Sequence, residues 1–222
     1  MSKPLRVLII EDSDDDALLM IRALKKGGYD PAYERVETAE AMRDALLEKT
    51  WDVILCDYQM PKFNGLAAIA LLKERGSDIP LIIVSGVIGE ETAAECMRSG
   101  ARDFFVKGKL SRLASAVERE LEEAEARRQR RRSEEELRES EEKYRLIFNN
   151  APLGILHFNV KGIITSCNDR FVEIIGSSRE ALVGLNMLNL PDTHIVAALK
   201  LALNGKVGEY EGEYHSVTAP KV

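Results

Sequence analysis

Residues 3–28 read KPLRVLIIEDSDDDALLMIRALKKGG, and this stretch decides the fold. The run over residues 5–10 is apolar apart from Arg6, without the alternation of a half-exposed strand, so it reads as a strand buried on both faces. Two carboxylates, Glu11 and Asp12, follow at once. Ser13 and Asp14 then open a helix that Gly27 and Gly28 close, which makes one strand-helix unit. The same unit recurs along the chain. Residues 33–36 precede a helix capped by Thr38, with Glu40 and the apolar stretch 42–47 behind it. Residues 53–56 lead through a loop bearing Pro61 and Gly65 into a helix over 66–74. Residues 81–84 lead through a glycine-bearing turn into a helix over 90–98, and residues 104–106 form a fifth strand. Five such units predict an α/β fold with a parallel sheet covered on both faces and ligand chemistry at the carboxyl ends of its strands.

The polar residues at those ends form a pattern. Glu11 and Asp12 follow the first strand, Asp57 ends the third, Ser85 the fourth and Lys107 the fifth. Carboxylates packed together repel one another unless a cation neutralises them, and an all-oxygen ligand set suits magnesium, which keeps several waters and leaves room for a phosphoryl oxygen. A lysine and a hydroxyl opposite the cluster can hold further phosphoryl oxygens, so that catalysis is mainly positioning and charge stabilisation.

The segments LIIEDS (8–13), DVILCDYQMP (52–61), IIVSG (82–86) and DFFVK (103–107) together resemble the receiver family of two-component response regulators, in order and in spacing, over roughly the first half of the chain. The resemblance implies a flavodoxin-like, doubly wound, five-stranded parallel sheet. Carried over residue by residue, Asp57 resembles the phosphoacceptor and Asp12 the direct metal ligand. Glu11 resembles the residue holding a metal-bound water, and the backbone carbonyl of Gln59 the remaining protein ligand. Ser85 and Phe104 match the hydroxyl and aromatic pair that reorient together on phosphorylation in this family, and Lys107 matches the phosphate-binding lysine. The implied cofactor is Mg2+, and the implied partner is a sensor histidine kinase or a phosphotransfer protein. One departure stands out: the family usually follows its lysine with a proline in a cis peptide, and here Gly108 follows Lys107. A cis bond before glycine costs about 2.5 to 4 kcal/mol, so a trans, more mobile connection is expected.

Beyond Lys109 the composition changes. Residues 110–140 carry 8 basic and 9 acidic side chains with no Gly or Pro. Leu110, Leu113, Val117, Leu121 and Ala124 make a stripe at spacings of three and four, so the last receiver helix is expected to continue outward. After Ala126 the stripe vanishes until Leu137, as in a solvated connector held by charge pairs. Unbroken over 110–148, such a helix would be about 58 Å long. It reads either as a signalling helix that pairs in a homodimer or as a solvated spacer.

The last stretch resembles a PAS domain. EEKYRLIF (141–148) is similar to its opening helix, and residues 154–159 with 163–167, around Lys161 and Gly162, to its first hairpin. NDRFVEIIG (168–176) is similar to its short helix; residues 178–184 follow, and 191–203 read as the longer helix bordering the family's ligand cavity. Residues 209–217 alternate and read as a third strand. The implied architecture is α+β with an antiparallel sheet of five strands. The chain ends after the third, so this module is expected to be incomplete and the chain to be cut from a longer protein. Its ligand is unknown, none included. Photoactive flavin relatives need a cysteine in the segment 184–189, where Met187 stands instead. His194 lies where haem-binding relatives place an axial histidine, although a lone histidine there is more often a capping or surface residue. Cys167 is most simply core.

The expected division is a receiver core over 1–109, the last receiver helix with a charged linker over 110–140, and the PAS-like module over 141–222. The composition (45% hydrophobic, 31% charged, net charge -6) is that of a soluble globular protein, with no electrostatic reason to bind nucleic acid or an anionic membrane. Three widely spaced cysteines and a start without a signal-like segment lead to an expectation of reduced thiols and a cytoplasmic location. No motif of an independent enzymatic domain occurs, and His157, His194 and His215 lack the surroundings of a phosphoacceptor helix. The functional reading is phosphorelay signalling: Asp57 accepts a phosphoryl group and the state passes through the helix to PAS and an output domain. The alternative is the N-terminal part of a hybrid sensor histidine kinase or a cyclic-dinucleotide enzyme.

Overall fold

A computed structural model describes residues 2–61, 63–86 and 90–211 of the chain. Its first unit alternates β1 (Lys3–Ile10), α1 (Asp14–Lys26), β2 (Tyr29–Val36), α2 (Ala39–Glu48), β3 (Val53–Asp57), α3 (Gly65–Glu74), β4 (Leu81–Ser85), α4 (Glu90–Arg98) and β5 (Asp103–Val106). All neighbouring strands are parallel, in the order β2-β1-β3-β4-β5. The direction of winding reverses between β1 and β3, and at such a switch point the connections diverge to opposite faces and leave a crevice at the strands' carboxyl ends.

The pleat explains the two cores. Leu8, Ile10, Ile54, Cys56, Leu81 and Ile83 point to one face and meet residues of α2, α3 and α4, among them Met42, Ile69, Leu72 and Cys96. Val7, Ile9, Val53, Leu55, Ile82 and Val84 point to the other and meet Ala17, Met20 and Leu24 of α1 and Leu113 and Val117. With both faces covered, residues 7–10 of β1, 53–56 of β3 and 81–84 of β4 form unbroken apolar runs, which is why these strands read so clearly in the sequence. β2 begins four residues before the expected position 33. Asp30 and Pro31 read as breakers, but β2 is an edge strand, and there a proline can sit with no ladder hydrogen bond to lose.

Helix ends follow local chemistry. Ser13 accepts a hydrogen bond from the Asp16 amide and caps α1, Thr38 caps α2 and Asn64 caps α3. At the far end of α1, a Cβ on Gly27 would lie 2.0 Å from the Ala114 Cβ, and Gly28 has φ +91°. Glycine is required at the first for close packing and at the second for a left-handed turn. Leu110–Arg112 form a 3-10 turn and α5 runs over Leu113–Asn150, so the helix expected from 110 starts after a tighter turn and extends past 148. Lys107–Gly108 is trans, as expected for a residue pair without proline. Arg127 and Arg131 of α5 lie 3.7 and 3.9 Å from the Asp78 carboxylate.

The chain divides into compact units between Ser133 and Glu134. In the second, β6 (Leu156–Phe158) and β7 (Ile164–Cys167) form an antiparallel hairpin, followed by α6 (Asp169–Ile175), α7 (Arg179–Leu182), a 3-10 turn (Met187–Asn189) and α8 (Thr193–Leu203). Residues 209–211 of the expected third strand are not in a strand, and 212–217 lie outside the described residues. Asn168 organises this unit. Its buried side chain donates to the carbonyls of Phe148 and Leu153 (2.9 Å each) and accepts from the amides of Ile155 (2.8 Å) and Phe171 (2.9 Å). One amide group thus ties the end of α5, the loop before β6 and the start of α6. Asn168→Ala strips partners from four backbone groups and is expected to cost about 3 kcal/mol. The single tryptophan, Trp51, reports the core of the first unit alone. In urea, the variant should show a far-UV circular dichroism transition shifted to lower denaturant while the Trp51 fluorescence transition stays in place.

Candidate functional site

The acidic residues predicted from the strand ends do converge. One carboxylate oxygen from each of Glu11, Asp12 and Asp57 lies within 4.8 Å of the others, beside the switch point between β1 and β3. Glu11 is fully buried and Asp57 nearly so, while Asp12 is exposed. The Glu11 amide donates to the Val36 carbonyl at the end of β2 (3.0 Å), and its Oε1 accepts from the Ser13 amide (3.1 Å). The Gln59 amide donates to Asp57 Oδ1 (3.2 Å), which puts that peptide beside the carboxylate.

Lys107 faces this group. Its Nζ lies 2.8 Å from Asp57 Oδ2, 2.8 Å from Glu11 Oε2 and 2.5 Å from Asp16 Oδ2. Its backbone amide donates to the Ser85 carbonyl (2.8 Å), locking the end of β5 to the end of β4. Burial by itself would lower the Lys107 pKa, but the hydrogen bonds to Asp16 and Asp57 and the nearby Glu11 carboxylate outweigh it and hold the ammonium above its ordinary value. Burial pushes the Glu11 carboxyl up, against the Lys107 ammonium and the Ser13 amide, which pull it down. Glu11 Oε2 has the Lys107 charge nearby but no aligned hydrogen bond, so a buried oxygen is left with acceptor capacity. A cluster of hard oxygen donors with such an orphan fits a divalent cation.

Ser85 closes β4, buried, with Val84 paired to Asp57 across the sheet. Phe104 pairs with Ile83 on the face of the first core and is half-buried. Two residues near the site were not predicted. Asp16 contacts Lys107 directly, and Arg35 donates to the Glu11 carbonyl (2.8 Å) while pairing with Asp14 (2.7 Å) and Glu37 (2.6 Å). The run of three aspartates is a sequence signal that reads first as the acidic opening turn of a helix, which conceals that Asp14 and Asp16 face different cations.

In the second unit, Leu156, Ile164, Phe171, Leu182, Met187 and Tyr210 are among the residues around an apolar cavity of about 220 Å³. Met187, which stands in the segment where photoactive flavin relatives need a cysteine, is one of the lining residues. The His194 side chain is exposed at the start of α8, with its amide on Asp192 Oδ1 (2.8 Å), and it is not among the residues lining that cavity. Cys167 is buried in β7 as core.

These features have counterparts in known proteins. Residues 7–118 match the response regulator receiver domain and residues 142–204 a PAS domain. The chain belongs to the receiver family, with a long helix leading from that domain to a PAS domain. Chemotaxis protein CheY of Thermotoga maritima is 29% identical over 102 residues, covering 46% of this chain and 84% of its own. Transcriptional regulatory protein ZraR of Salmonella typhimurium is 29% identical over 119 residues, covering 52% of this chain and 26% of its own. The chain thus spans about a quarter of the ZraR length. Among solved structures, the signal receiver domain of a Luxo repressor protein from Vibrio parahaemolyticus superposes with a TM-score of 0.50 at 25% identity, covering 56% of this chain and 95% of that one. The homology places the chain in two-component signal transduction. Receiver domains bind Mg2+ at an acidic pocket and interact with histidine kinases or phosphotransfer proteins, and the acidic group here is Glu11, Asp12 and Asp57. No described helix is long and apolar enough to cross a membrane.

The burial of Glu11 has a measurable sign. A carboxyl whose pKa rises on folding binds more protons in the folded state, so its contribution to stability is complete below the ordinary value of 4.5 and is lost as pH rises through the shifted value. Measured in chelator by urea unfolding, the stability of wild type relative to Glu11→Gln should fall as pH is raised from 4.5 toward neutrality. A difference that stays constant over this range would show that burial leaves Glu11 unshifted.

Proposed function

We propose that the first unit is a phosphoacceptor module in which Asp57 takes a phosphoryl group from the phosphohistidine of a sensor kinase or phosphotransfer protein. The observation that carries this reading is the meeting of three carboxylates and the Lys107 ammonium at the switch point of a receiver sheet. An Asp57 carboxylate oxygen attacks phosphorus, the bond from phosphorus to the imidazole nitrogen breaks, and the imidazole leaves with the electron pair and takes up a proton. Asp12, Asp57 and the Gln59 carbonyl would hold Mg2+ directly and Glu11 through a water. When bound, the ion supplies the positive charge that lets phosphoryl oxygens approach these carboxylates. Lys107 and Ser85 orient and neutralise the remaining phosphoryl oxygens as charge develops on them.

The readout side of the proposal has Ser85 and Phe104 reorienting together and passing the state along α5 to the PAS domain and an output domain. The division that goes with it is a receiver core over 1–109, a connector over 110–140 and a PAS-like module from 141. A homodimer is supported by Leu137, Leu146 and Ile147, which are exposed on α5 at more than 60% each, an unusual cost for large apolar side chains on a solvated helix. The net charge of -6 supports no role in nucleic-acid or anionic-membrane binding, and no ligand is assigned to the PAS cavity.

Acetyl phosphate with magnesium should label the wild-type chain, and Asp57→Asn should abolish the label. Excess chelator should remove it as well. Labelling that persists in the variant or in chelator would overturn the assignment of Asp57 and of the metal. Under beryllofluoride, amide exchange should change around β4, β5 and the start of α5, and Ser85→Ala should blunt that change while leaving Asp57 able to accept label.

A further inference from the structure

The Lys107 ammonium meets three carboxylates, and the three are not equivalent. Glu11 and Asp57 belong to the group able to hold a cation, and Asp16 does not. Any cation held by that group shares Glu11 and Asp57 with the lysine, which weakens both as partners for the ammonium. Asp16 is outside this competition, and its contact is the shortest of the three, at 2.5 Å.

The backbone near Lys107 is tied by the Lys107 amide to the Ser85 carbonyl and by the Lys109 amide to the Val106 carbonyl (2.8 Å each), but nothing in these ties directs the lysine side chain. Gly108 follows, and a Cβ placed there would meet nothing within 4 Å, so no neighbouring side chain packs against that position. Asp16, by contrast, is well anchored. It lies in the first turn of α1, where its amide donates to the Ser13 hydroxyl (3.3 Å), and α1 is fixed to the sheet by Ala17, Met20 and Leu24. The neighbouring aspartates are disposed differently: Asp14 pairs with Arg35, and Asp15 is exposed.

We propose that Asp16 is a positioning residue for Lys107, a carboxylate outside the metal group that keeps the ammonium aimed at Asp57 when a cation occupies the other two partners. The consequence for phosphotransfer rests on Asp57 being the acceptor; the restraint on the lysine does not. Asp16 adds a side-chain anchor from α1 to the backbone ties that hold the Lys107–Gly108 connection. A charge-assisted contact of this length holds a flexible four-carbon side chain in one direction and leaves its remaining protons for the reacting group.

The full 222-residue chain, labelled with 15N-lysine, provides the test by 1H–15N NMR of the lysine ammonium groups, run alongside acetyl phosphate labelling of Asp57. Wild type should give a slowly exchanging Lys107 signal, assigned by its loss in Lys107→Arg, that persists when magnesium is added. Asp16→Ala should lose that signal in magnesium and lower the initial labelling rate about tenfold, the scale of one lost charge-assisted contact. Asp16→Asn keeps an acceptor oxygen, so its signal should broaden but remain, with a rate within about threefold of wild type. Asp15→Asn should behave as wild type in both measurements. A wild-type ammonium signal in Asp16→Ala or Asp16→Asn alike, or an equal loss in Asp15→Asn, overturns the role of Asp16. A held ammonium in a wild-type chain that takes no label upholds the restraint and sinks the phosphoacceptor reading instead.

Discussion

The ammonium of Lys107, held against Glu11, Asp16 and Asp57 at 2.5 to 2.8 Å, is the interaction on which the first unit is organised. Glu11 is completely buried and Asp57 nearly so, and neither can reach water well enough to disperse its charge. Carboxylates in that setting need a counter-charge, because an unpaired buried ion costs far more than a paired one. Lys107 provides one positive charge and the acidic group remains in excess. That excess is the physical basis for its fit to a divalent cation.

The sheet makes this concentration of charge possible. Strands β1 and β3 are buried on both faces, so the carboxylates at their ends are backed by apolar packing on either side of the sheet. The same packing makes the site stiff. The Lys107 amide is bonded to Ser85, and Gly108, Lys109 and a 3-10 turn separate Lys107 from Leu113, a fully buried residue at the start of α5. Lys107 is therefore close in the chain to the first turn of the connector helix. In the second unit Asn168 has a comparable organising place, with four backbone groups served by one side chain, and there the apolar cavity contrasts with the charged crevice of the receiver.

Much of this was legible beforehand because it follows local rules. Buried parallel strands are continuous apolar runs, and Ser13 and Thr38 are caps whose function depends on only three or four residues downstream. The start of β2 was misread because Pro31 is a breaker by composition, and only its place at the sheet edge makes it harmless. The 3-10 turn at Leu110–Arg112 was likewise hidden, since the apolar spacing of Leu110 and Leu113 fits either helix type.

The amino-acid sequence by itself determined the five strand-helix units, the class of fold and the residues Glu11, Asp12, Asp57, Ser85 and Lys107 at the strand ends, because periodicity and capping act over a few neighbouring positions. Tertiary structure alone decided which charges meet. Asp14, Asp15 and Asp16 are chemically identical neighbours, yet one turns to Arg35, one to solvent and one to Lys107, 91 residues away. Helical rotation of 100° per residue sends adjacent side chains in different directions. What each then meets depends on strand order and on the seating of α1 against the sheet, and these are properties of the packed chain rather than of any segment within it.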